Sequence, residues 1–428
     1  MKIKPLARSI SLSTLAVALS IPITAQAAFI EDSKANLELR NFYMNRDFRN
    51  ASNESPSKAE EWAQGFLLRY ESGFTEGTVG VGIDAYGFTG FKLDSGGGTS
   101  GTDLLLPKNR KNNVPSSYGE IGAAAKFRIS ETTLRAGTLM PKLPVVSAGD
   151  GRLLPQTFQG LQLTSHDIDN LTLNFGQLER DNQRNSTNNE SMKISLNNGK
   201  RDTIKYSKTN KDVSSKFNFF SGSYNWSDQL ATGYHFGQLD GVYKQHILNG
   251  VFTLPIANTQ SLKVDLRYAK TKEDDNSGID NNAFSSMLTY KLGYNSFGLG
   301  FQKMSGDTGY AYLKTTDPFL TNYIQQRDFA NTDEKSWQAR YDYNFAGLGV
   351  PGLSLMTRYV KGSNVYMGPN KSRGKEWERD TDITYVFQDG PMKNLGVKWR
   401  NSTLRSNVIS DGDRDENRLI VSYTIPLL

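Results

Sequence analysis

The sequence predicts an all-β protein, a transmembrane antiparallel β-barrel of about 18 strands. Three observations carry that prediction. After residue 35 the chain alternates apolar and polar residues in segments of about ten residues. Short turns and long polar loops take turns between these segments. The composition is polar yet aromatic, with a mean hydropathy of −0.54, 20 Tyr and 22 Phe. A helical membrane protein would instead show several apolar runs of about 20 residues, and the one long apolar run here is N-terminal.

A chain of 428 residues usually implies two or three globular domains, but one closed sheet can absorb that length. Residues 1–27 read as a secretory signal peptide and residues 28–428 as a single barrel domain. Lys2, Lys4 and Arg8 form the positive start. Ile10 to Ile23 forms an apolar stretch broken at Pro22, and Ala25-Gln26-Ala27 is a small-x-small cleavage pattern. A membrane anchor is the competing reading, and the stretch is short and proline-broken for that role. With no cysteine, the chain offers no lipid-anchor site, disulfide or thiolate. Removing the three signal cations from a net charge of +6 leaves about +3, too mild to imply nucleic acid.

The alternation sorts each segment into two faces. In 261–271, Leu262, Val264, Leu266 and Tyr268 oppose Lys263, Asp265 and Arg267. In 336–345, Trp337, Ala339, Tyr341, Tyr343 and Phe345 oppose Gln338, Arg340, Asp342 and Asn344. In 417–425, Leu419, Val421, Tyr423 and Ile425 oppose Arg418 and Ser422. Backbone polar groups cannot stay unpaired in lipid, so strands of this kind must close into a barrel. Lipid then takes the apolar face and the polar face lines the lumen. A large soluble β protein is the bland alternative; segments of bilayer-spanning length behind an export signal argue against it. The expected strands are 36–44, 61–72, 77–88, 118–129, 132–140, 157–165, 170–179, 216–226, 229–237, 243–254, 261–271, 282–294, 297–304, 336–345, 353–361, 379–388, 394–404 and 416–425.

Between them lie short turns such as Ser130-Glu131, Ser227-Asp228 and Asn295-Ser296. These alternate with polar loops at 45–60, 89–117, 141–156, 180–215, 272–281, 305–335, 362–378 and 405–415, with 238–242 as the one short member. An even strand number puts both termini on the short-turn, periplasmic side.

Several blocks, in order along the whole mature chain, carry a resemblance. They are Phe29-Ile-Glu-Asp-Ser33, Leu39-Arg-Asn-Phe-Tyr-Met-Asn-Arg-Asp47, Tyr70-Glu-Ser-Gly-Phe-Thr75, Gly149-Asp-Gly-Arg-Leu-Leu-Pro-Gln-Thr157, Glu334-Lys-Ser-Trp-Gln-Ala-Arg-Tyr-Asp342 and Arg418-Leu-Ile-Val-Ser-Tyr423. In these the chain resembles the OprD (Occ) family of substrate-selective outer-membrane channels. The resemblance implies a monomeric 18-stranded porin in the outer membrane of a Gram-negative bacterium, in contact with outer-membrane lipid and lipopolysaccharide. Its loops would fold into the lumen, and a ladder of basic side chains would line the pore. Implied substrates are small carboxylate-bearing solutes, amino acids and organic acids, with carbapenem antibiotics among those some members admit. Carried over by motif, the ladder is Arg46, Arg152, Lys398, Arg400 and Arg418, with Asp328 as the acid of the constriction. Lys398 replaces an arginine, Thr384 stands where a well-studied member has a lysine, and Gln326 where it has a tyrosine.

Physical chemistry agrees in part. Lys398 and Arg400 oppose Val397 and Trp399, and a charge facing mid-membrane lipid costs about 2–4 kcal/mol, so both should face the lumen. Arg418, Arg358, Arg340, Arg267, Arg135 and Arg40 share that parity. Fixed guanidinium groups offer a carboxylate successive bidentate stations, each weak enough to leave. The plainer reading is that each arginine pairs with a lumenal acid such as Asp342 or Asp265 and only holds the wall. Asp328 is expected to lie in the constriction and oppose Arg152 or its neighbours, against the plainer reading of a solvated loop aspartate.

Other motifs point to no chemistry. Asp411-Gly-Asp-Arg-Asp415 starts like a calcium loop but has Glu416 and Ser422 at its sixth and twelfth positions. Gly96-Gly-Gly98 precedes no helix pattern. His166, His235 and His246 have neither metal-ligand spacing nor an adjacent nucleophile motif, so no enzyme, metal or cofactor is expected. The rival functions are a general-diffusion or sugar-preferring porin, a barrel phospholipase, which needs a positioned Ser–His pair, and an adhesion or structural barrel.

Overall fold

The computed structural model describes residues 29–50, 56–96, 98–197, 199–200, 212–410 and 412–428. The signal segment and Asp411 lie outside the described residues. Eighteen strands form one antiparallel sheet: β1 Lys34–Phe48, β2 Lys58–Glu71, β3 Gly80–Asp94, β4 Ser117–Ile129, β5 Thr132–Leu139, β6 Thr157–Ile168, β7 Leu171–Asn182, β8 Phe217–Asn225, β9 Leu230–Leu239, β10 Tyr243–Ala257, β11 Gln260–Glu273, β12 Asp280–Leu292, β13 Asn295–Gly306, β14 Lys335–Asn344, β15 Leu353–Val365, β16 Gly374–Val386, β17 Gly396–Ser406 and β18 Arg414–Pro426. Each pairs with its neighbours in sequence. β1 closes the ring by pairing with both β2 and β18, so Phe42 lies opposite Ala63 and Ile420. Closure leaves no strand edge exposed to lipid.

The two faces fall as the alternation requires. Trp62, Phe66 and Leu68 are exposed on β2 while Ala63 and Leu67 are buried. Phe297, Leu299 and Phe301 are exposed on β13, and Ile121 on β4 reaches 93% exposure. Such exposure is stable only against lipid. Short turns gather at the end where Asn36 meets Pro426, so both termini lie there. Ser130, Asn170, Asn394 and Gly293 take positive φ in those turns, the conformation that tight antiparallel connections demand.

Two expectations needed correction. Strands run into the expected loops: residues 89–94 extend β3, and residues 374–378 open β16, where they pair with β15 and, from Glu376, with β17. Glu376 and Glu378 of that segment point inward and are buried. The lumenal face is also not uniformly polar. Phe42, Met44, Leu67 and Phe88 point inward and bury against Leu104, Leu105, Leu153 and Leu154 of the loops. Phe158, Phe217, Phe219 and Leu239 do the same against Val145, Val146, Met192 and Leu313. The loops therefore enter the barrel and fill much of its extracellular half with small hydrophobic cores. Gly90 makes one such contact possible, because a Cβ there would come within 2.8 Å of Leu153 and 2.6 Å of Tyr118.

A closed sheet of this kind resists detergent until heated. The mature protein is expected to begin at Ala28 and to migrate faster unheated than boiled; N-terminal sequencing that returns Met1 from membrane-inserted protein would contradict the signal assignment.

Candidate functional site

The loops leave a passage against the wall built by β1 and β12 to β18. A cavity of about 330 Å³ is lined by Arg40, Arg152, Lys398 and Arg400, together with Glu38 and Asp150. A second, of about 510 Å³, lies toward the short-turn end and is lined by Arg340, Asp342, Asp382 and Tyr294. Lys398 and Thr384 line both, so the missing lysine at 384 falls at the junction of the two cavities.

Four of the five basic positions singled out in the sequence face carboxylates. Arg46 donates to Glu416 at 2.8 and 2.9 Å, and Arg418 donates to the same carboxylate at 2.7 Å. Glu416 is fully buried, and Arg418 is only 2% exposed, roofed by the Gln325 carbonyl at 3.1 Å. Arg400 Nε donates to Asp382 at 3.1 Å, and Lys398 stands 4.0 Å from the same acid with two-fifths of its side chain exposed. Arg152 differs. Its guanidinium donates to the Thr102 and Gly151 carbonyls, and among the described residues it has no ion pair. Burial and the positive neighbours Arg418, Arg184 and Arg46 push it below the usual guanidinium value, against the pull of Glu416.

Pairing fixes these cations without using them up. A guanidinium has five donors, and Arg400 spends Nε on Asp382. Other lumenal arginines are held in the same way, Arg340 by Asp342 in the second cavity and Arg267 by Asp265 further round the wall, with the closest contacts at 2.7 Å. Arg40 braces the loop itself, donating to Asp150 and to the Arg152 carbonyl at 2.8 Å each.

The loop between β13 and β14 crosses the lumen and docks on a row of inward acids that the sequence reading passed over. Arg327 pairs with Glu376 at 3.0 Å, the Gln326 amide donates to Glu378 at 2.8 Å, and Gln325 Nε2 donates to Glu416 at 3.1 Å. Gln326, in the place of the relative's tyrosine, also donates to Ser402 at 2.9 Å. The row is Glu376, Glu378, Asp380 and Asp382, and its period of two was the signal that could have found it. Its upper members hold the loop, and Asp382 holds Arg400.

Asp328 sits on this loop and makes no hydrogen bond or ion pair with Arg152. It is 7% exposed and accepts from Asn197 Nδ2 at 2.9 and 3.0 Å and from the Tyr312 hydroxyl at 3.1 Å. Tyr312 lies in a small sheet inside the barrel in which 194–196 pairs with 311–313, and Asn197 directly follows its first strand. The bonds that Asp328 does make are to the inner sheet and its edge, and they hold the loop. Asp328→Ala should therefore loosen the loop, giving noisier single-channel currents with little change in which ions pass. A clean shift in ion selectivity at unchanged noise would contradict that.

The wall also brings Ser221, His235 and Asn249 into a hydrogen-bonded chain, at 2.6 and 2.8 Å. No sequence motif announced it, because the three lie on three adjacent strands. Ser221 and His235 are buried, so the group braces the wall and offers no nucleophile to a solute.

A closed barrel with an apolar outer face, and a lumen narrowed by loops to a charged passage, defines a channel protein of the bacterial outer membrane. The family model for outer membrane porins of the OprD family matches residues 27–427, and the chain belongs to that family. A porin-like protein of Pseudomonas putida, GalP, is 38% identical over 421 residues, covering 97% of each chain. The crystal structure of Pseudomonas aeruginosa OpdQ shares 56% identity with a TM-score of 0.84, covering 94% of this chain and all of that one. The structure of Pseudomonas aeruginosa OpdK with vanillate shares 35% identity with a TM-score of 0.83, covering 93% of this chain and all of that one. The protein is thus a porin of the Gram-negative outer membrane and not an enzyme.

Proposed function

We propose that this porin passes small carboxylate-bearing solutes, amino acids and organic acids among them, and that carboxylate-bearing carbapenems share the route. The observation that carries the reading is the gathering of Arg40, Arg152, Lys398 and Arg400 around one 330 Å³ cavity. In that reading Lys398, Arg400 and Arg152 meet the carboxylate, while Arg46 and Arg418 act through Glu416 to hold the wall and loop beside it. Asp328 fastens the loop that narrows the pore. Glu38 and Asp150 at the cavity's edge suit the ammonium of an amino acid. Vanillate, present in the OpdK structure, is itself a carboxylate. A liposome uptake panel tests the reading: small organic acids and amino acids should enter faster than neutral sugars of similar size. Equal rates would favour the general-diffusion or sugar-preferring alternative.

A further inference from the structure

The outer face of the barrel is charged unevenly, and the unevenness has a pattern. On β13 to β16 the outward positions near the long-loop end carry Lys303, Lys335, Lys361 and Lys375, all exposed. Every acid on these strands faces inward: Asp342 and the row from Glu376 to Asp382. Among the described residues, none of the four lysines has an ion pair. Several outward cations elsewhere do, as Lys58 does with Glu60, Lys272 with Asp280, and Arg49 and Arg405 with Asp415, and the exposed Lys270 on β11 stands singly without a second lysine opposite it.

The register sharpens the point. Lys303 lies directly opposite Lys335, and Ser363 sits between Lys335 and Lys375 on the next strands. Like charges directly opposite one another destabilise a sheet unless an anion lies between them. One row below, Trp337 and Trp377 flank Lys361. Their rings pack with Tyr359 at 5.5 and 5.6 Å. Aromatic residues of this kind mark the membrane–water interface. From Tyr385 to Lys375, at about 3.3 Å per residue and a tilt near 40°, β16 rises about 25 Å, the height of the apolar band. The lysines therefore stand where head groups of the extracellular leaflet begin.

We propose that this strip is a binding site for the phosphate groups of the outer-leaflet glycolipid, with its acyl chains lying against the aromatic and apolar residues below. An anion that fills a site beside lipid-facing tryptophans must carry apolar chains, which singles out a membrane glycolipid over a free solute. The strip lies on the outside of the barrel, so the proposal is independent of the substrate reading.

The test uses the full-length protein, titrated in detergent with bisphosphorylated lipid A and with the same glycolipid after phosphatase treatment, read by native mass spectrometry. The parent should bind the phosphorylated form more tightly. Lys303→Gln, Lys335→Gln, Lys361→Gln and Lys375→Gln should each reduce that preference by about fivefold. The combined variant should lose it, while solute uptake and heat-modifiable migration stay as in the parent. Lys58→Gln, four strands beyond β16 and paired with Glu60, should change nothing. If the combined variant fails to assemble, the single variants carry the test. Equal preference in the parent and the lysine variants would overturn the proposal, as would displacement of the glycolipid by equimolar inorganic phosphate.

Discussion

Glu416→Ala is expected to be the most damaging single substitution in the barrel. Its carboxylate is fully buried and accepts from Arg46, Arg418 and Gln325. Removing it leaves two guanidinium groups with no counter-charge, and neither can shed its proton. Breaking a buried pair in this way costs about 3–5 kcal/mol. The loss reaches the pore as well, because Gln325 and Arg418 tie the crossing loop to the wall through this acid. The variant should lose heat-resistant migration at a lower temperature and show noisier, wider channels. Glu416→Gln, which keeps the shape but not the charge, should fall between parent and alanine variant. A variant with parental heat resistance and conductance would show that the cluster is not structural.

The second large effect is expected from Lys398→Ala with Arg400→Ala. Together these remove two of the four cations of the cavity and expose Asp382, whose partners they are. Hydrogen bonds to a charged group contribute about 1.5–3 kcal/mol each, so carboxylate uptake should fall about tenfold or more. Neutral solutes should be unaffected. Adding Asp382→Asn separates the two causes, since it removes the new repulsion without restoring attraction. Partial recovery of acid uptake in the triple variant is the expected result. Unchanged acid uptake in the double variant would remove these two residues from the path.

The barrel itself was legible in the sequence, because each strand divides two solvents. β11 shows why: Leu262, Val264, Leu266 and Tyr268 face lipid, while Asp265 and Arg267 pair inside. Legibility failed where a loop, not water, covers the inner face. Phe217, Phe219 and Phe220 are consecutive or alternate aromatics, and only the fold shows that the first two meet loop residues and the third meets Phe175 and Tyr234 on the outside. The same cause hid the start of β16, whose glutamates bind a loop and not solvent. The basic positions could be picked out by parity and motif, but their partners could not. Glu416 is 370 residues from Arg46 in the chain, and Asn197 is 131 from Asp328. Such pairings follow from closure of the ring and from the way loops enter it, which no local pattern encodes.

The most direct measurement compares a small carboxylic acid with its own amide, matched in size and shape, for transit through single channels of the parent protein. If the cations around the cavity recognise the carboxylate, the acid should enter more often than the amide. Its advantage should shrink as salt rises and screens the partly exposed Lys398 and Arg400. An amide that enters as often as the acid at low salt would contradict the account.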